Sequence, residues 1–178
     1  KVLLLNYPNN PTGGVMTKED YQLLVPIIKE HNLIVISDEI YAEQTYGKHH
    51  VSIASLPDMW ERTILVSGFS KAFAMTGWRM GYVCAPKEID EAMFKIHQYG
   101  IMCAPIMSQY AAIEALKDGL SDNFATVEEM RESYDQRRKF VLHSLAEIGL
   151  QCFEPRGAFY AFPSVLSSGL NSEIFAER

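Results

Sequence analysis

The sequence predicts an α/β fold in which a mostly parallel sheet is flanked by helices. Two observations carry that expectation. First, Val2–Leu5, Leu33–Ser37 and Thr63–Ser67 are short, continuous apolar runs rich in Leu, Ile and Val, as befits strands buried on both faces. Second, segments of helical character alternate with them, and this spacing is typical of parallel strands with helical crossovers.

Taken in order, Val2–Leu5 stops at Asn6-Tyr7-Pro8-Asn9-Asn10-Pro11-Thr12-Gly13-Gly14, where prolines and glycines force a turn. Thr17-Lys18-Glu19-Asp20 then reads as a helix start, with Thr17 as N-cap and Asp20 three residues on. This helix is expected to reach about His31, kinked or divided at Pro26. The second strand, Leu33–Ser37, ends on two carboxylates, Asp38 and Glu39. The third, Thr63–Ser67, leads into a small-residue loop over 68–79, and Gly81–Cys84 is expected to be a fourth strand. Residues 88–103, 105–118 and 121–148 read as helices, the last charge-rich and stopped by Gly149. Cys152-Phe153 and Ala158–Phe162 read as short strands, the aromatic run from Phe159 to Phe162 as core, and a helix begins near Asn171.

Composition narrows the function. The 178 residues are 48% hydrophobic and 21% charged, with a net charge of −6, which describes an ordinary globular chain rather than a nucleic-acid binder needing a basic face. No apolar run approaches the roughly 20 residues that span a bilayer. Cys84, Cys103 and Cys152 form neither a disulfide framework nor a metal pattern, so a reducing cytoplasm is the default. The five histidines point to no metal site either.

Polar groups cluster at the C-terminal ends of the apolar runs, where open parallel sheets bind ligands. Asn10 follows the first strand, Asp38 ends the second, and Lys71 follows the third, with Arg79 eight residues later. Taken singly, each has a plain structural reading: a turn, a cap, a solvated amine, or an Arg79–Asp38 ion pair.

Taken together, Asn10-Pro11-Thr12-Gly13, Ser37-Asp38-Glu39-Ile40-Tyr41, Ser70-Lys71 with Arg79, and Gly157-Ala158-Phe159-Tyr160-Ala161-Phe162-Pro163 resemble the pyridoxal-phosphate aminotransferases of the aspartate aminotransferase fold, in order and in spacing. The resemblance runs over essentially the whole chain. It implies pyridoxal 5'-phosphate as cofactor, held by Lys71 as a Schiff base. Asp38 would face the ring nitrogen, kept ionised by that cationic partner. Asn10 and Tyr41 would bond the phenolic oxygen, and Arg79 and Ser70 the phosphate. Gly68 departs from the serine that many relatives place there. The implied reaction is transamination between an amino acid and a 2-oxo acid, with Lys71 also moving the α-proton.

The resemblance further implies a central fragment of a homodimeric enzyme. Residues 1–120 would belong to the cofactor-binding large domain, 121–149 to a long interdomain helix, and 150–178 to the start of a small domain. The fragment alone is expected to be inactive. The competing readings are a β-lyase on the same scaffold, a non-catalytic domain that keeps the fold, and a nucleotide-binding domain. The last lacks a G-x-x-x-x-G-K-[ST] or G-x-G-x-x-G loop after a strand.

Overall fold

The structure is a computed structural model that describes residues 1–178. Strands β1 (Val2–Asn6), β2 (Ile34–Asp38), β3 (Thr63–Gly68) and β4 (Gly81–Cys84) form one sheet in that order. The β1–β2 and β2–β3 pairs are parallel, while β4 returns antiparallel along β3. The predicted α/β class and mostly parallel sheet are therefore observed. Gly68 and Gly81 let the two strands approach closely where they pair: a Cβ on Gly68 would lie 2.9 Å from the Gly81 Cα, nearer than side chains pack.

Helix α1 (Lys18–Glu30) crosses between β1 and β2. Thr17 and Asp20 cap it reciprocally: each backbone N–H donates to the other's side-chain oxygen, which stabilises a helix start by about 1 kcal/mol. Helix α1 runs on through Pro26, so that residue does not divide it. Tyr21 and Ile28 of α1 pack with Leu5, Val35, Ile53, Leu56 and Met59 into the main core, on one face of the sheet.

Helices α2 (Lys87–Gly100), α3 (Ile106–Ser121), α4 (Ala125–Glu147) and α5 (Ser172–Glu177) follow. The long helix predicted from residue 121 starts at Ala125 instead. Asn123 and Phe124 adopt left-handed backbone angles, and the Phe124 ring folds back onto Gly119, where a side chain would collide with it. The two strands expected near the end of the chain do not form. Cys152 makes one bridge to Pro163, and Gly157 makes one to Thr45. The aromatic run is not core either, because Phe159 and Phe162 are 37% and 58% exposed.

What the segment around Gly157 does instead is return to the sheet. The Arg156 and Gly157 amides donate to the Gly13 carbonyl at 2.9 and 3.0 Å, Tyr46 N donates to Arg156 O, and Ala158 N donates to Gln44 O, both at 2.8 Å. From α4, Arg131 donates to Thr45 O and Arg138 to Pro155 O, each at 3.2 Å. Gly13 has φ +71°, and a Cβ on it would strike Pro155. A Cβ on Gly157 would fall 2.5 Å from Pro8 Cβ and 2.8 Å from Val15 Cγ1. Gly157→Ala in the complete protein is therefore expected to lower stability by about 1–3 kcal/mol. An unchanged urea midpoint would show that this crossing is not tight.

Candidate active site

Because β1, β2 and β3 run parallel, their C-terminal ends share one rim. Asn6 is in register with Asp38, Tyr7 N donates to Asp38 O at 3.2 Å, and Glu39 N donates to Val66 O at 2.8 Å. Asp38 ends β2 on this rim, and the three loops that leave it carry the other candidate residues.

Asp38, the last residue of β2, is half-buried rather than buried, and its Oδ1 accepts the Ile40 amide at 3.2 Å. Tyr41 is 3% exposed. Lys71 Nζ lies over its ring, 5.6 Å from the centroid, and over the Phe159 ring at 5.4 Å. Cation–π contacts at such separations contribute about 0.5–1 kcal/mol. Burial, a hydrogen bond with Tyr160 and the Asp38 charge together hold the Tyr41 phenol well above its usual range. Tyr41, Lys71 and Asp38 thus form one neighbourhood.

Ser70 and Arg79 are joined through Thr76. Thr76 Oγ1 donates to Ser70 O at 2.9 Å, and Arg79 Nη1 donates to Thr76 O at 2.9 Å. Arg79 is exposed and has φ +53°. Asn10 stands exposed on the β1 loop; its amide donates to Asn6 Oδ1 at 3.1 Å. Its side chain shares no hydrogen bond with the other candidates. Asp38, Lys71 and Arg79 take part in none of the ion pairs, so the considered Arg79–Asp38 pair does not form.

Two groups escaped the sequence reading. Tyr160, which read as core strand, places its hydroxyl 2.5 Å from that of Tyr41, while Phe159 stacks on Tyr134 of α4. The second is a buried cluster around Glu39. Its Oε1 accepts from Ser37 Oγ at 2.9 Å and Ser52 Oγ at 2.7 Å, and its Oε2 lies 2.7 Å from His50 Nε2. Two residues apart on an extended chain, Ser37 and Glu39 share a face, leaving Asp38 to the other. That alternation, and the same two-residue spacing of His50 and Ser52, is the signal that was available. A cleft of about 280 Å³ opens beside the cluster, lined by Glu39, His50, Ser67, Phe73 and Tyr82 among others. Another of about 190 Å³ lies between α4 and residues 155–161. Neither is lined by Asp38 or Lys71.

Fold and rim together describe an α/β protein whose candidate residues gather at and beyond the strand C-termini. Comparison with known proteins then places it. The sequence model of the family described as "Aminotransferase class I and II" matches residues 1–175, and the chain belongs to that family. It is 55% identical over 178 residues to the Bacillus subtilis protein YugH, and 51% identical over 178 residues to the aspartate aminotransferase of Pyrococcus abyssi, covering 45% of each. It superposes on the aromatic aminotransferase of Pyrococcus horikoshii with a TM-score of 0.93 at 51% identity, covering 99% of this chain and 47% of that one. The chain thus spans a little under half the length of the relatives it matches. No helix is long and apolar enough to cross a membrane.

Glu39 offers a test of the rim's support. Burial alone would raise its carboxyl, but the bonds from His50 and Ser52, the His50 charge and the Ser37 bond outweigh it and hold the group below its ordinary value of 4.5. A carboxyl lowered in the folded state adds stability above that ordinary value and loses it as pH falls through the folded value. Glu39→Gln is expected to cost about 1–3 kcal/mol at neutral pH and to flatten the loss of stability below pH 4.5. Urea midpoints measured from pH 3 to 7 check both.

Proposed function

We propose that the complete protein catalyses transamination between an α-amino acid and a 2-oxo acid with pyridoxal phosphate as cofactor. The observation that carries this reading is that the Lys71 amine lies over the ring of Tyr41, whose hydroxyl feels the Asp38 charge, with neither Lys71 nor Asp38 committed to an ion pair. The donor set suits the cofactor's chemistry: an amine for an aldehyde, an acid for a pyridine nitrogen, a guanidinium for a phosphate. When bound, the cofactor supplies an aldehyde that condenses with amines and a cationic ring that draws electrons from the substrate α-carbon.

The protein's part in this reading is holding and proton transfer. Lys71 would hold the cofactor covalently and, as a free amine, would take the proton from the substrate α-carbon. Asp38 keeps the ring nitrogen protonated. Tyr41 and Asn10 donate to the phenolic oxygen. Arg79, with most of its N–H donors uncommitted, and Ser70 grip the phosphate. Residues 1–120 form part of the cofactor-binding domain, the helix within 121–149 links domains, and 150–178 begins a smaller one. Relatives named for aspartate and for aromatic amino acids support an amino-acid substrate without choosing between them. A homodimer and a cytoplasmic location, consistent with three free cysteines, complete the reading.

Borohydride reduction of the complete protein with pyridoxal phosphate should fix the cofactor's mass to the peptide containing Lys71. Mass on another lysine, or on none, overturns the assignment. Lys71→Ala is expected to slow amino-group transfer at least about 10²-fold. Release of pyruvate and ammonia, in place of a new amino acid, would point to lysis instead.

A further inference from the structure

Tyr160 has no role in the reading above, yet it reaches the same site from the far end of the chain. We propose that Tyr160 is a positioning residue for Tyr41: its hydroxyl donates to the Tyr41 oxygen, leaving the Tyr41 hydrogen free for the anionic ring oxygen of the ligand. The inference rests on the Tyr41 role in that reading.

Three observations argue for it. The hydroxyls are 2.5 Å apart, and the rings meet edge to face with centroids 5.7 Å apart, which fixes their relative orientation. The backbone before Tyr160 is anchored, Ala158 N to Gln44 O at 2.8 Å and Ala158 O to the Tyr46 hydroxyl at 2.6 Å, so Tyr160 is delivered rather than free to swing. Finally, each phenol has one hydrogen to donate. In the pair one hydrogen is shared and one is left over. An anion placed against Tyr41 selects the arrangement in which Tyr160 donates to Tyr41 and Tyr41 donates onward. Donors in such a chain polarise and strengthen one another. The charged groups acting on Tyr41 are Asp38 and Lys71. Glu39 is turned into its own cluster with Ser37, His50 and Ser52.

The test uses the complete protein loaded with pyridoxal phosphate and follows the pH midpoint of its visible absorbance. Donation from Tyr41 stabilises the anionic ring oxygen and so lowers that midpoint. Tyr160→Phe keeps the ring and its packing but removes the donor, and should raise the midpoint by about half a unit to one unit. Tyr41→Phe should raise it further. The double variant should match Tyr41→Phe alone, because Tyr160 acts only through Tyr41. An unmoved midpoint in Tyr160→Phe, or additive shifts in the double variant, overturns the proposal. An unmoved midpoint in Tyr41→Phe removes it as well. Borohydride labelling of Lys71 judges the enzymatic reading separately, since it does not depend on either hydroxyl.

Discussion

The return of residues 155–158 onto the loops after β1 and β2 is the constraint on which the site depends. It is made of backbone groups: Gly13 O accepts from Arg156 and Gly157, Gln44 O accepts from Ala158, and Arg156 O accepts from Tyr46. Side chains can be exchanged around such bonds, but the path of the main chain cannot shift without leaving them unmade. Gly157 permits the crossing because nothing larger fits against Pro8 and Val15. Without it, Phe159 and Tyr160 would have no fixed place beside Lys71 and Tyr41.

The sheet solves a different problem. Its parallel strands end on one rim, so residues distant in sequence leave it side by side, Asn6 in register with Asp38. The alternation along β2 then sorts two adjacent carboxylates. Glu39 turns to a buried cluster of hydroxyls and an imidazole, where every partner is a hydrogen bond. Asp38 turns to the other face, where its carboxylate accepts only the Ile40 amide. One acid is consumed by structure, and its neighbour keeps a carboxylate with no ion pair.

Much of this was legible in the sequence, for local reasons. The apolar runs became β1 to β3, the Thr17–Asp20 spacing became a reciprocal cap, and the residues at the strand ends came out on the rim. What was not legible depends on tertiary contact. Ala158–Phe162 has strand composition but makes no bridge itself, the isolated ones falling on Gly157 and Pro163 at either side of it, so propensity had no ladder to join. The long helix starts late because the Phe124 ring packs on Gly119, a contact no pattern of charges announces. Pro26 does not divide α1, although the sequence allowed a division there as well as a kink. The hydroxyl pair of Tyr41 and Tyr160 spans 119 positions and is invisible to any local signal.

That separation bears on how the site closes. Entropy lost on closing a loop grows only with the logarithm of its length, by about 0.6 kcal/mol per doubling, so bringing the two tyrosines together is cheaper than the distance along the chain implies. Helix α4 divides the task further. Arg131 spans 86 positions to reach Thr45, and Arg138 then spans 17 to Pro155. With α4 held at Thr45, the ring from Arg138 to Pro155 is short, so the added closure cost of holding the far segment against the sheet is small.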